Sequence, residues 1–102
     1  MFLVVFLLPT FDNDGTRISK HEFARVRREL TERFGGVTAF MQSPAVGLWA
    51  DEHGEVRRDD LVSFEVMADT LDRDWWRNYR EQLGRRFRQK EIVMRASSFE
   101  LL

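Results

Sequence analysis

The sequence predicts a single α+β sandwich in the order strand, helix, strand, strand, helix, strand, and three observations point there. Two segments repeat apolar residues at spacings of three and four, the mark of helices that lay one stripe on a sheet. Four others are rich in β-branched and aromatic residues and are bounded by Pro, Gly, Asp or Asn. A chain of 102 residues has room for one such domain, residues 1-102, and should bury on the order of 65% of the surface its unfolded form exposes.

Phe2 to Leu8 is apolar throughout and stops at Pro9, which cannot donate to a central ladder, so it reads as the first strand. It lacks the basic start and small-residue cleavage site of a targeting segment and is too short to cross a bilayer. Thr10 to Arg17, with Asp12-Asn13-Asp14-Gly15 inside it, has the residues of a turn; the ligand spacing and closing glutamate of an EF-hand are missing. Ser19 and Glu22 fit a capping box, and Phe23, Val26, Leu30 and Phe34 then form one stripe, ended by Gly35. The first helix is expected over residues 19 to 34.

Val37 to Gln42 and Val46 to Trp49 read as an edge strand, kinked near Ser43 to Gly47 because a central strand would not tolerate Pro44. Asp51 to Asp60 is expected as a polar connection with a turn at His53-Gly54, and Leu61 to Ala68 as the returning strand. Thr70 or Asp72 can cap the second helix, whose buried face is Trp76, Tyr79, Leu83 and Phe87, with Trp75 at the margin. Arg85, Arg86, Arg88 and Lys90 near its end complement the helix dipole. Glu91 to Ser97 is the last strand, and Phe99 to Leu102 an apolar tail that extends it or folds across the sheet.

Two amphipathic helices on one sheet are accommodated by a split β-α-β arrangement with strand order 4-1-3-2, the ferredoxin-like sandwich, in which strand one is central. The helices then cover one face, and the other should be wet, with each strand alternating apolar and polar. Strand one does not alternate. Phe2, Val4, Phe6 and Leu8 lie on one side, and Leu3, Val5 and Leu7 on the other. Something must cover the second face, and a second copy of the chain, forming a homodimer, is the leading expectation.

That face also carries Ser63, Glu65, Met67, Val93, Arg95 and Ser97, with Thr38, Phe40 and Gln42 from strand two. An apolar centre ringed by polar groups could orient a small-molecule ligand. Glu65 and Arg95 are the first polar pair to examine, as an ion pair at a dimer interface or as a base and an anion holder. Trp49, after Gly47 at the end of an edge strand, could line a pocket mouth.

Other chemistries are poorly served. Cysteine is absent and His21 and His53 are the only histidines, which excludes thiolate, iron-sulfur and multi-histidine metal sites within one chain; a reducing cytoplasm is compatible. Asp51, His53 and Glu55 read as a solvated hairpin tip rather than a cation site, and His21 lies opposite the apolar stripe of its helix. No nucleophile elbow and no phosphate-binding glycine run occurs, so no cofactor is expected. The net charge of -1 projects no field toward nucleic acid or an anionic membrane. Arg73, Arg77, Arg80 and Arg88 form a basic stripe that reads as a solvated face. RNA-recognition domains share this element order, but Leu61 to Val66 lacks the glycine and exposed aromatics their third strand needs.

Phe34-Gly35-Gly36-Val37-Thr38, Gly47-Leu48-Trp49, Gly54-Glu55-Val56 and Arg86-Phe87-Arg88-Gln89-Lys90-Glu91 resemble, in order along nearly the whole chain, an uncharacterised bacterial family of unknown function with a ferredoxin-like fold. The resemblance implies a fold and no activity. More loosely, the topology and the doubly apolar first strand are similar to the dimeric α+β barrel group, with its cofactor-independent monooxygenases and isomerases. That similarity implies a cavity at the dimer centre or between helices and sheet, although no strand here carries a histidine to match theirs.

Overall fold

The computed structural model describes the backbone of residues 1–50 and 56–102 and the side chains of residues 1–39 and 61–102. The chain runs β1 (Phe2–Pro9), α1 (Lys20–Phe34), β2 (Thr38–Ala50), β3 (Val56–Ala68), α2 (Arg73–Arg86) and β4 (Met94–Ser98). The four strands form one antiparallel sheet in the order β2-β3-β1-β4, which is 4-1-3-2 read from the other edge. β1 is central as expected: it pairs with β3 from Phe2↔Ala68 to Pro9↔Leu61 and with β4 from Phe2↔Ser98 to Phe6↔Met94.

Each helix is held at its ends by side chains the sequence places there. Ser19 Oγ accepts from the His21 amide at 3.2 Å, and Gly35, in the left-handed region at φ 80°, donates its amide to Thr31 at 2.8 Å. Asp72 caps α2 by accepting from the Trp75 amide at 3.1 Å. The Ser19 box is only half built, because the Glu22 carboxylate turns to Arg86 at 3.2 Å.

Between helices and sheet lies the core, where Val4, Phe6 and Leu8 of β1 meet Val26, Leu30, Phe64 and Leu83, all at most 1% exposed. Phe6 and Phe64 stack at 5.2 Å across the β1–β3 ladder. Phe34 stacks on Trp76 at 5.1 Å, and Trp75 packs edge-on against both, so the paired tryptophans weld the end of α1 to the start of α2. Each fully buried ring or aliphatic side chain contributes roughly 1.5–3 kcal/mol.

Three boundaries differ from expectation. β3 begins at Val56 rather than Leu61, so the second half of the expected polar connection, Val56 to Asp60, is strand; residues 51–55, with the His53-Gly54 turn and the Asp51, His53 and Glu55 cluster, lie outside the described residues. Val56 to Asp60 pair with β2 alone, since the β1 ladder ends at Leu61, and a two-stranded ribbon needs no alternating apolar face. The β2–β3 register shifts between Phe40 and Ala45, around Pro44. β4 begins at Met94 rather than Glu91: Leu7 still donates to the Val93 carbonyl at 3.2 Å, but Pro9 has no N–H with which to carry the ladder on. The basic stripe of α2 also ends sooner, because Arg88 lies beyond the helix at φ 52° and pairs with Asp12 at 3.5 Å.

Candidate functional site

On the side of the sheet away from the helices, Leu3, Val5 and Leu7 of β1 are only half buried, and Met67 and Val93 beside them are 54% and 53% exposed. Among the described residues nothing covers this strip. The tail does not: Phe99 adds one bond to Met1 at 3.1 Å, and Leu101 and Leu102 stand in solvent.

The register sets Glu65, Val5 and Arg95 in one row across β3, β1 and β4. Two strand spacings, about 10 Å of backbone, therefore separate the expected polar pair. The structure does not bring Glu65 and Arg95 together as an ion pair. Glu65 is half buried and lines a cavity of about 460 Å³ where the α1–β2 connection meets the sheet, with Leu3, Phe34, Val37 and Met67. Arg95 is exposed and borders a different cleft, between α2 and β4. Gln42 and Trp49 lie on β2, and their side chains are outside the described residues.

The cavity is built from the sequence upward. Gly35 ends α1 with a positive φ, the chain turns at once into Thr38 opposite Glu65, and the short Gly35-Gly36 connection leaves an open space. One carboxylate set among Leu3, Phe34, Val37 and Met67 suits a ligand with an apolar body and a positive charge. Among the described residues no three His, Asp or Glu side chains are grouped to hold a metal ion.

Sequence reasoning missed the polar cluster that ties the helices together. Arg86, assigned to the α2 dipole, instead reaches α1, donating to Glu29 at 2.7 Å and Glu22 at 3.2 Å with its side chain 13% exposed. Tyr79 donates to the same Glu29 at 3.1 Å. Burial, and next the Glu29 charge, raise the Tyr79 pKa far above the ordinary tyrosine range. Burial works against the Arg86 charge, yet bonds and charge from Glu29 and Glu22 outweigh it and its pKa rises. The signal available was the i, i+7 spacing of Glu22 and Glu29 on α1. The Asp12-Asn13-Asp14-Gly15 segment is the turn expected: Asp12 Oδ1 accepts from the Asp14 and Thr16 amides, both at 2.9 Å, which closes it before α1.

No family model matches the chain, and no curated protein matches it. Among solved structures, a phage SAM lyase in complex with S-methyl-5'-thioadenosine is similar over 94% of this chain and 79% of its own, with TM-score 0.63 at 11% identity. A phage SAM lyase in the apo state gives TM-score 0.64 at 10% identity, over 94% and 78%. Likeness at such identities is likeness of fold: four antiparallel strands and two helices in the same α+β arrangement.

Proposed function

We propose that this chain is an oligomeric module that works through its bare sheet face, where two copies close over Leu3, Val5 and Leu7 and a small molecule is held beside Glu65. The observation that carries this reading is the apolar strip of β1, continued by exposed Met67 and Val93, which would otherwise stay in water. A symmetric pairing of sheets removes it from solvent and narrows the mouth of the Glu65 cavity. Light scattering at micromolar concentration is expected to give twice the 12.2 kDa chain mass, and Leu3→Thr with Val5→Thr to give a folded single chain. A wild-type mass of one chain would sink the proposal.

The lyase fold and the Glu65 cavity favour a second reading, a cofactor-independent enzyme acting on a sulfonium such as S-adenosylmethionine. The positive sulfur would sit against the Glu65 carboxylate. Breaking a carbon–sulfur bond sends its electron pair to sulfur, giving a neutral thioether, while the remaining fragment closes on its own carboxylate or loses a proton to Glu65. Arg95, across the sheet, is the cation to test as holder of the substrate's anionic end. Chromatography after incubation with S-adenosylmethionine should show S-methyl-5'-thioadenosine, with Glu65→Gln slower by about 10²-fold or more and Arg95→Met raising KM. Intact protein that leaves the substrate unchanged removes the enzyme and leaves the oligomer standing.

A further inference from the structure

On the helix side of β4 lies a second cleft, bordered by Arg95, that shares no lining residue with the Glu65 cavity. β4 is an edge strand that the helices fail to roof. Ala96 pairs with buried Val4 and so faces the helices, yet it is exposed. The space between β4 and α2 is about 510 Å³, within the range of small-molecule sites. Phe2, Trp76 and Met94 make an apolar floor, and Arg73, Arg77 and Arg80, on successive turns of α2, form the rim.

The charged groups of this cleft, Arg73, Arg77, Arg80 and Arg95, are all donors, while Ser97 and Ser98 can donate or accept. Among the described residues no carboxylate lines it. Arg77 pairs with Asp74 at 3.4 Å, both side chains being largely exposed, and Arg73 and Arg80 have no acidic partner among the described residues. The Trp76 indole, 5% exposed, holds its Nε1–H buried without an acceptor. A buried orphan donor costs free energy that an incoming acceptor would relieve. Repeated guanidinium groups suit a phosphate, which takes two parallel hydrogen bonds from each, and a floor of tryptophan and phenylalanine suits a planar ring.

We infer that the α2–β4 cleft binds an aromatic phosphate monoester of mononucleotide size, the ring lying toward Trp76 and the phosphate on Arg73 and Arg80. Its cationic lining, without a carboxylate among the described residues, is the reverse of the Glu65 cavity, so the two sites take ligands of opposite charge. Calorimetry with adenosine 5′-monophosphate tests the inference. Saturable binding is expected that weakens as salt rises, with adenosine and inorganic phosphate each at least about tenfold weaker and the Trp76 indole N–H resonance shifted on titration. Arg73→Ala with Arg80→Ala should lower affinity at least about tenfold with the circular dichroism spectrum unchanged, since both side chains are exposed. Absence of saturable heat at millimolar nucleotide, equal binding of adenosine, equal binding of inorganic phosphate, or an unaffected double variant would each overturn it.

Discussion

At the scale of single residues, the polar chemistry inside the fold belongs to Arg86. It stands between two carboxylates of α1 with little solvent, and removing it leaves Glu22 and Glu29 facing each other's charge and Tyr79 bonded to an uncompensated carboxylate. Arg86→Met should cost about 2 kcal/mol in urea unfolding, whereas Arg25→Ala, whose ion pair with Glu29 is half exposed at 3.8 Å, should change stability by less than about 0.5 kcal/mol. Tyr79 is the chain's one tyrosine, so its ionisation can be read directly from absorbance. Its folded pKa lies above the unfolded one, so the folded state keeps the proton longer. Stability is then unaffected below about pH 10 and falls above it, by up to about 1.4 kcal/mol per pH unit. Tyrosinate should appear only as the protein unfolds, and Tyr79→Phe should flatten the alkaline loss; a folded protein that ionises Tyr79 near pH 10 contradicts this account.

At the scale of elements, the sequence was readable wherever a local rule decided the outcome. Ser19, Gly35 and Asp72 set helix ends through backbone groups within four residues, and they stand where expected. Gly35→Ala isolates one such rule, because nothing lies within 4 Å of an added Cβ and only the positive φ opposes it. The expected loss is about 1 kcal/mol in thermal or urea unfolding, and a neutral result would mean that the α1 end relaxes freely. Elements defined by their neighbours were harder to read. Val56 to Asp60 are strand only because β2 runs beside them, and β4 starts late only because Pro9 lies opposite. The same holds for the candidate sites. Parity placed Glu65 on the bare face, but the cavity around it needs the α1–β2 connection, and the cleft below Arg73 and Arg80 needs to be seen with the roof missing over β4.

For the whole molecule, the strongest sequence signal was a violation of alternation in β1, and the structure turns it into a placement: Val4, Phe6 and Leu8 inside, Leu3, Val5 and Leu7 on the open side. The helix order and strand order followed from two amphipathic stripes needing one sheet. No helix among the described residues is long and apolar enough to cross a membrane. What covers the open side was not legible, because a contact between molecules would leave no periodicity of its own within one chain.

Of the six elements, the central strand β1 comes first along the chain, and β4, one of its two neighbours, comes last. Until Met94–Ser98 has been made, Val4 and Phe6 present a raw ladder edge, and a hairpin of β2 and β3 can shield only the other flank. Synthesis of this protein therefore passes through a stage in which an oily, unpaired margin must be sheltered or outrun, and codon speed over residues 70 to 98 is a quantity its producers would have reason to control.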